Sequence, residues 1–175
     1  MIPLPDPPLS DDFIGLRPWR PTDAGALVAA WADIEIGRWT SIPPRTDRAY
    51  AQKWIRGEAE RRELSLAIDL VVVPLADPSQ VWGEVGLWDM GPKTGSGSRI
   101  RQAEVGWWVG AEHRGHGVAT RALLLFSAWA LDALALGRLV ARTQLDNPAS
   151  TRVAEHAGFH LVGRVDGEQE LELTR

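Results

Sequence analysis

At 175 residues the chain is long enough for one domain with a true core, and its 45% apolar and 24% charged residues are those of a globular protein. It holds no cysteine, which excludes disulfides, thiolate metal sites and a thiol nucleophile. The net charge of −4, with His neutral, comes without any basic run, which argues against a nucleic-acid surface.

The proline-rich start, residues 1–12, lacks the basic and apolar regions of a signal peptide and reads as an extended, poorly ordered lead-in to a single domain over 13–175. A first strand is expected over 13–17, then a helix from Asp23 to about Asp33 with Thr22 as its N-cap. Pro43-Pro44 breaks the chain, and Thr46 or Asp47 opens a second helix that runs to about Glu63. Arg61-Arg62 sits among Glu58, Glu60 and Glu63, as on a solvated helix face. The β-rich, largely apolar stretch 66–75 predicts a strand covered on both faces. A turn at Asp77-Pro78-Ser79 returns it over 81–90, and a Gly- and Ser-rich stretch, 91–98, reads as a flexible loop.

The strand that follows, 101–109, leads into Arg114-Gly115-His116-Gly117-Val118-Ala119 and an apolar helix over 118–136 that Gly137 is placed to end. The apolar stretch 122–137 is shorter than the roughly 20 residues of a membrane span. A buried helix, no membrane association and a cytoplasmic protein are therefore expected. A strand over 138–145 comes next, then a short helix opened by Asn147 and stopped by Gly158. Last is a hairpin of 160–165 and 168–174 around Asp166-Gly167. Strand, helix and strand over 101–145 make a right-handed crossover unit, while the other strands are hairpin-linked. The fold class is a mixed α/β sheet, mostly antiparallel, flanked by helices.

The two glycines at the head of the long helix either make a bare strand-to-helix turn or cradle an anion. Free first-turn amides and the positive end of the helix dipole suit a phosphate. Arg114 precedes them and no acidic residue intrudes before Ala119. A dinucleotide fingerprint would need a third glycine, and a Walker A loop would need Gly-Lys-Ser/Thr. His113 and His116 flank the turn without a metal-ligand set, so no metal site is expected.

Ala103-Glu104-Val105-Gly106-Trp107-Trp108-Val109, followed by Arg-Gly-x-Gly-x-Ala, resembles the acyl-CoA-binding motif of the GNAT N-acetyltransferases. A second block runs Asn147-Pro148-Ala149-Ser150 and then Ala157-Gly158-Phe159. It is similar to the Asn-x-x-Ser…Gly-Phe signature of the RimJ/RimL-like branch, and Leu16-Arg17-Pro18-Trp19 is a weaker third match. The resemblance implies a GNAT fold in which the two parallel strands splay and pantetheine lies in the gap. It implies acetyl-CoA, or another acyl-CoA, as co-substrate, held by Trp107, Val109, Arg114, Gly115, His116, Gly117, Val118, Ala119, Thr120 and Asn147. The expected reaction is direct attack by a primary amine, either a protein N-terminal α-amine or a small-molecule amine.

Glu104 is the candidate base, near the strand position where several members of the family carry glutamate, with Glu84 on the preceding strand as second choice. Ser150 is the candidate donor to the leaving thiolate, because the position of the usual family tyrosine is Ala154 here. That departure keeps a non-catalytic acyl-CoA-binding or sensing domain as the alternative reading. Among the nine tryptophans, Trp31, Trp39 and Trp54 fall in the N-terminal helical region, where the family builds its acceptor pocket, while Trp82, Trp88, Trp107 and Trp108 line central strands. The tight hairpin at Asp166-Gly167 leaves the acceptor cleft open or completed by a second subunit, so a homodimer stays open.

Overall fold

The computed structural model describes residues 1–95 and 98–175. The strands are β1 (Ile14–Pro18), β2 (Ala67–Pro74), β3 (Gly83–Gly95), β4 (Ser98–Val109), β5 (Arg138–Gln144), β6 (His160–Val165) and β7 (Glu168–Thr174). The helices are α1 (Ala24–Ala32), α2 (Ile34–Trp39), α3 (Arg48–Glu63), α4 (Val118–Ala133) and α5 (Pro148–His156). The seven strands make one sheet in the order β1-β2-β3-β4-β5-β7-β6. Every neighbouring pair is antiparallel except β4 and β5.

The sheet is covered on both faces, which is why β2 is an almost unbroken apolar run. Its side chains alternate. Ile68, Leu70 and Val72 join the main core with Phe126 and Leu123 of α4. Val71 and Val73 join a second core with Trp19, Leu27 of α1 and Ile55 of α3. No helix among the described residues is long and apolar enough to cross a membrane.

The feature that positions the site is a parting of strands. β4 and β5 pair only through Gln102–Arg138, Ala103–Leu139 and Glu104–Val140. Beyond Glu104, β4 stays with β3 as far as Val109, and β5 stays with β7 as far as Gln144. Each strand follows its outer partner, so a gap opens between them.

Several elements depart from the sequence reading. The lead-in contains no helix or strand, yet Ile2 is fully buried in the main core, and its N–H donates to the Arg62 carbonyl at 2.9 Å. Thr22 does not cap α1, because Pro21–Asp23 is a single tight turn. There Asp23 takes the Arg17 guanidinium at 2.6 and 3.1 Å and the Arg20 N–H at 2.8 Å. Asp47, the second of the two candidates, caps α3 by accepting from the Tyr50 N–H. Helix α2 was not foreseen; Asp33 caps it, accepting from the N–H groups of Glu35 and Ile36.

Helix α4 ends before Gly137, and the left-handed residue that turns the chain is Ala135 (φ 48°). The Leu136 N–H returns to the Leu131 carbonyl and the Ala135 N–H to that of Asp132, a Schellman closure. Gly137 instead donates to the Arg101 carbonyl. The stretch expected as a loop over 91–98 continues the β3–β4 ladder, with a register shift between Trp88 and Gly91. Residues 96–97 of that expectation lie outside the described residues.

Candidate active site

The turn between β4 and α4 is built by its glycines. Gly115 and Gly117 hold φ of 78° and 76°, which L side chains rarely adopt, and a Cβ added at either would meet nothing within 4 Å. The backbone is therefore bare toward a cavity of about 720 Å³, lined by Gly115, Gly117, Val118, Ala119 and Thr120. This cavity lies at the N-terminus of α4, where free first-turn N–H groups suit an anion.

Arg114 is tied on two sides, with Nε donating to the Val109 carbonyl at 2.8 Å and Nη2 to Asp33 at 2.7 Å. His116 is exposed and does not line the cavity, whereas His113 does. His113 stacks on Trp82 at 4.6 Å, and its partial burial holds its pKa below the usual histidine value.

Across the gap, Asn147 is buried and caps α5, its side-chain oxygen accepting from the Ser150 N–H at 3.1 Å. That orientation leaves the amide nitrogen of Asn147 for another partner. Pro148 at the first helical position fits the cap. Ala154, where the family tyrosine would stand, is completely buried in the main core.

A second cavity of about 710 Å³ opens on the other face of the sheet, lined by Trp31, Trp54 and Tyr50 from the helices and by Asp69, Glu84 and Glu104 from the strands. The two cavities share Ile36, Trp39, Thr40, Trp107, Trp108, Asn147 and Ser150. They therefore meet at the mouth of the strand gap, with α2 bordering both. Trp107, Asn147 and Ser150 come together at this seam. Glu104 lines only the second cavity, at the point where the strands part.

Glu104 pairs with the Arg142 guanidinium, which also reaches Glu170 at 2.9 Å. Burial raises the Glu104 pKa; Arg142 opposes this, and the carboxylates of Asp89 and Glu168 add to it. Glu84 is held by two neutral donors, the indole N–H groups of Trp19 at 2.8 Å and Trp108 at 3.1 Å. Burial, then the nearby Asp69 carboxylate, push it up to about 8. Burial also pushes Asp69 up to about 6 against the pull of Arg61.

The Asp69–Glu84 pair was missed as a unit in the sequence. Asp69 sits opposite Gly86 and Glu84 opposite Val71, so the two meet only through the β2–β3 register. The one available signal was an acidic residue within an otherwise apolar strand. Trp31, Trp39 and Trp54 all line the second cavity, in the region singled out for them.

The family model described as an acetyltransferase (GNAT) domain matches residues 14–160. The "Uncharacterized N-acetyltransferase p20" of Bacillus licheniformis is 25% identical over 157 residues, covering 89% of this chain and 83% of that protein. Among solved structures, Mycobacterium smegmatis RimJ in complex with CoA-disulfide has a TM-score of 0.76 at 22% identity, over 95% of this chain and 85% of that one. The microcin C7 self-immunity acetyltransferase MccE, in complex with acetyl-CoA and AMP, has a TM-score of 0.73 at 18% identity, over 94% of each chain. Both share the fold of this chain.

Proposed function

The chain belongs to the GNAT acetyltransferase family, and we propose that it moves an acetyl group from acetyl-CoA to a primary amine by direct attack. The observation that carries this reading is the meeting of two cavities at Trp107, Asn147 and Ser150. One has a bare glycine cradle suited to a pyrophosphate, and the other is lined with carboxylates and indoles. The CoA and acetyl-CoA complexes of RimJ and MccE, folds of the same kind, support the same co-substrate here.

In this reading the amides of Gly115 to Thr120 hold the pyrophosphate, with the α4 dipole favouring its charge. The amide nitrogen of Asn147 and the backbone of Trp107 hold pantetheine in the strand gap. Arg114 positions the turn by bonding the Val109 carbonyl. Acetyl-CoA supplies the thioester, and the chain supplies the proton path. Glu104 takes the amine's proton, directly or through water, as nitrogen bonds to the acetyl carbon. When the carbon–sulfur bond breaks, the Ser150 hydroxyl gives its proton to the thiolate and recovers one from water. A strand amide at the seam stabilises the developing oxyanion, an effect worth roughly 2.7–4 kcal/mol in the best-measured case.

The acceptor is a primary amine, either on a small molecule or at a protein N-terminus. Release of free thiol from acetyl-CoA, followed with and without an amine panel, tests the reading. Amine-dependent release that collapses in Glu104→Gln supports it. Tight CoA binding with no transfer to any amine would instead favour an acyl-CoA sensor.

A further inference from the structure

The second cavity is more specific than its place beside the thioester requires. Among the described residues Arg142 is the one basic residue lining it, and its guanidinium is already bound by Glu104 and Glu170. Asp69 is partly offset by Arg61 at 3.3 Å, but Glu84 has no ion-pair partner among the described residues, its two oxygens facing indole N–H groups. Glycine makes room for the side chains that form the floor. A Cβ at Gly86 would lie 2.5 Å from the Asp69 carboxylate, and one at Gly106 would lie 2.6 Å from the Trp88 ring. Trp31 and Trp108 stand around this floor, presenting rings suited to a cation, while the Trp54 ring already carries the Arg61 guanidinium at 4.3 Å.

Building on the acetyltransferase reading, we propose that the acceptor is a small amine carrying a second cationic group. That group is seated over Asp69 and Glu84 among these indoles while the reacting nitrogen lies at the Trp107–Ser150 seam. In this reading the reacting nitrogen must reach the thioester, which lies at the seam where the co-substrate cavity meets this one and not at the acidic floor. The two acidic stations are also separate. Glu84 lies opposite Trp108, and Glu104, four residues before Trp108 in β4, lies opposite Trp88. At about 3.4 Å per residue the two stations are roughly 14 Å apart along the strands. One station is free to bind a spectator cation while the other takes the proton. The raised pKa of Glu84 belongs to the empty cavity, since an arriving ammonium favours its ionised form.

The test compares acetyl transfer to cadaverine and spermidine with transfer to pentylamine and to a short peptide with a free N-terminus. The diamines should exceed pentylamine in kcat/KM by about tenfold or more, the scale of one desolvated cation site. Glu84→Gln should erase that advantage through the KM for cadaverine, with the KM for acetyl-CoA as the control for an intact fold. Equal use of pentylamine and cadaverine, or preference for the peptide with Glu84→Gln indifferent, overturns the proposal and leaves the acetyltransferase reading standing. A binding arm needs no turnover and no variant. Pentamethonium should quench the cavity tryptophans at lower concentration than tetramethylammonium, and equal weak quenching by both also overturns it. Failure of CoA to bind by calorimetry is the separate result that would remove the acetyltransferase reading.

Discussion

Glu84 is caught between two demands, since its oxygens hold the indoles of Trp19 and Trp108 in place while burial and Asp69 oppose its charge. Asp69, Arg61 and, next to them, Glu58 are the charged groups around it. Its folded pKa of about 8 lies above the ordinary 4.5, so the folded protein binds the extra proton between those values. The stability this group contributes is therefore full below about pH 4.5 and is lost as the pH rises toward 8. Asp69, raised to about 6, acts in the same direction over a lower window. We expect the melting temperature of the protein without ligands to fall between pH 5 and 8. Glu84→Gln, close in shape to the neutral acid, should flatten that slope; an unchanged profile would show that Glu84 is ionised in the folded state throughout. Ser150→Ala at the seam and Glu104→Gln in the second cavity should each lower kcat by about a hundredfold or more, the usual worth of a positioned acid or base. The KM for acetyl-CoA should change little, because neither side chain belongs to the phosphate cradle.

Elements whose ends are fixed by local chemistry could be read from the sequence. Asp47 and Asn147 cap α3 and α5, Gly158 stops α5 at φ 93°, and Asp166-Gly167 turns the last hairpin with both residues left-handed. The ends set by distant contacts could not. Asp33 is an ordinary aspartate until α2 forms over it and Arg114, 81 residues away, arrives to pair with it. Gly137 looked like the stop for α4, but it is drawn into the sheet by Arg101 and leaves Ala135 in the left-handed position. That conformation costs a non-glycine residue about 1–2 kcal/mol. Ala135→Gly should recover part of this and raise the melting temperature by about 2–4 °C for a chain of this size. The turn into α4 gives the opposite prediction. Gly117→Ala forces a Cβ into the same left-handed region and sets it beside the cradle. It should destabilise by about 1–2 kcal/mol and raise the Kd for acetyl-CoA, measured by calorimetry on protein verified as folded.

At the scale of the whole molecule, the site exists because one sheet is asked to satisfy two outer neighbours. β4 follows β3, β5 follows β7, and three residue pairs join the halves. The sequence carried this arrangement only through its family resemblance, since no local pattern states where two parallel strands stop pairing. The same holds for the cavity floor, where Asp69, Glu84 and Gly86 meet by register and not by proximity in the chain. Helix α2 lies across the opening, anchored by Asp33 to Arg114 of the turn and by Arg38 to Asp146 beside α5. It borders both cavities through Ile36 and Trp39, yet its six residues bury only Ile36, so packing holds it weakly. A ligand in the strand gap would touch α2 and both of its anchors at once. Hydrogen exchange should therefore slow at Ile34–Trp39 when acetyl-CoA is added, by up to about a hundredfold at a hundred times its Kd. The β1–β2 pair, already buried on both faces, should change far less. Equal exchange of α2 with and without acetyl-CoA would mean that the helix is a fixed wall, leaving access to the acceptor cavity independent of the co-substrate.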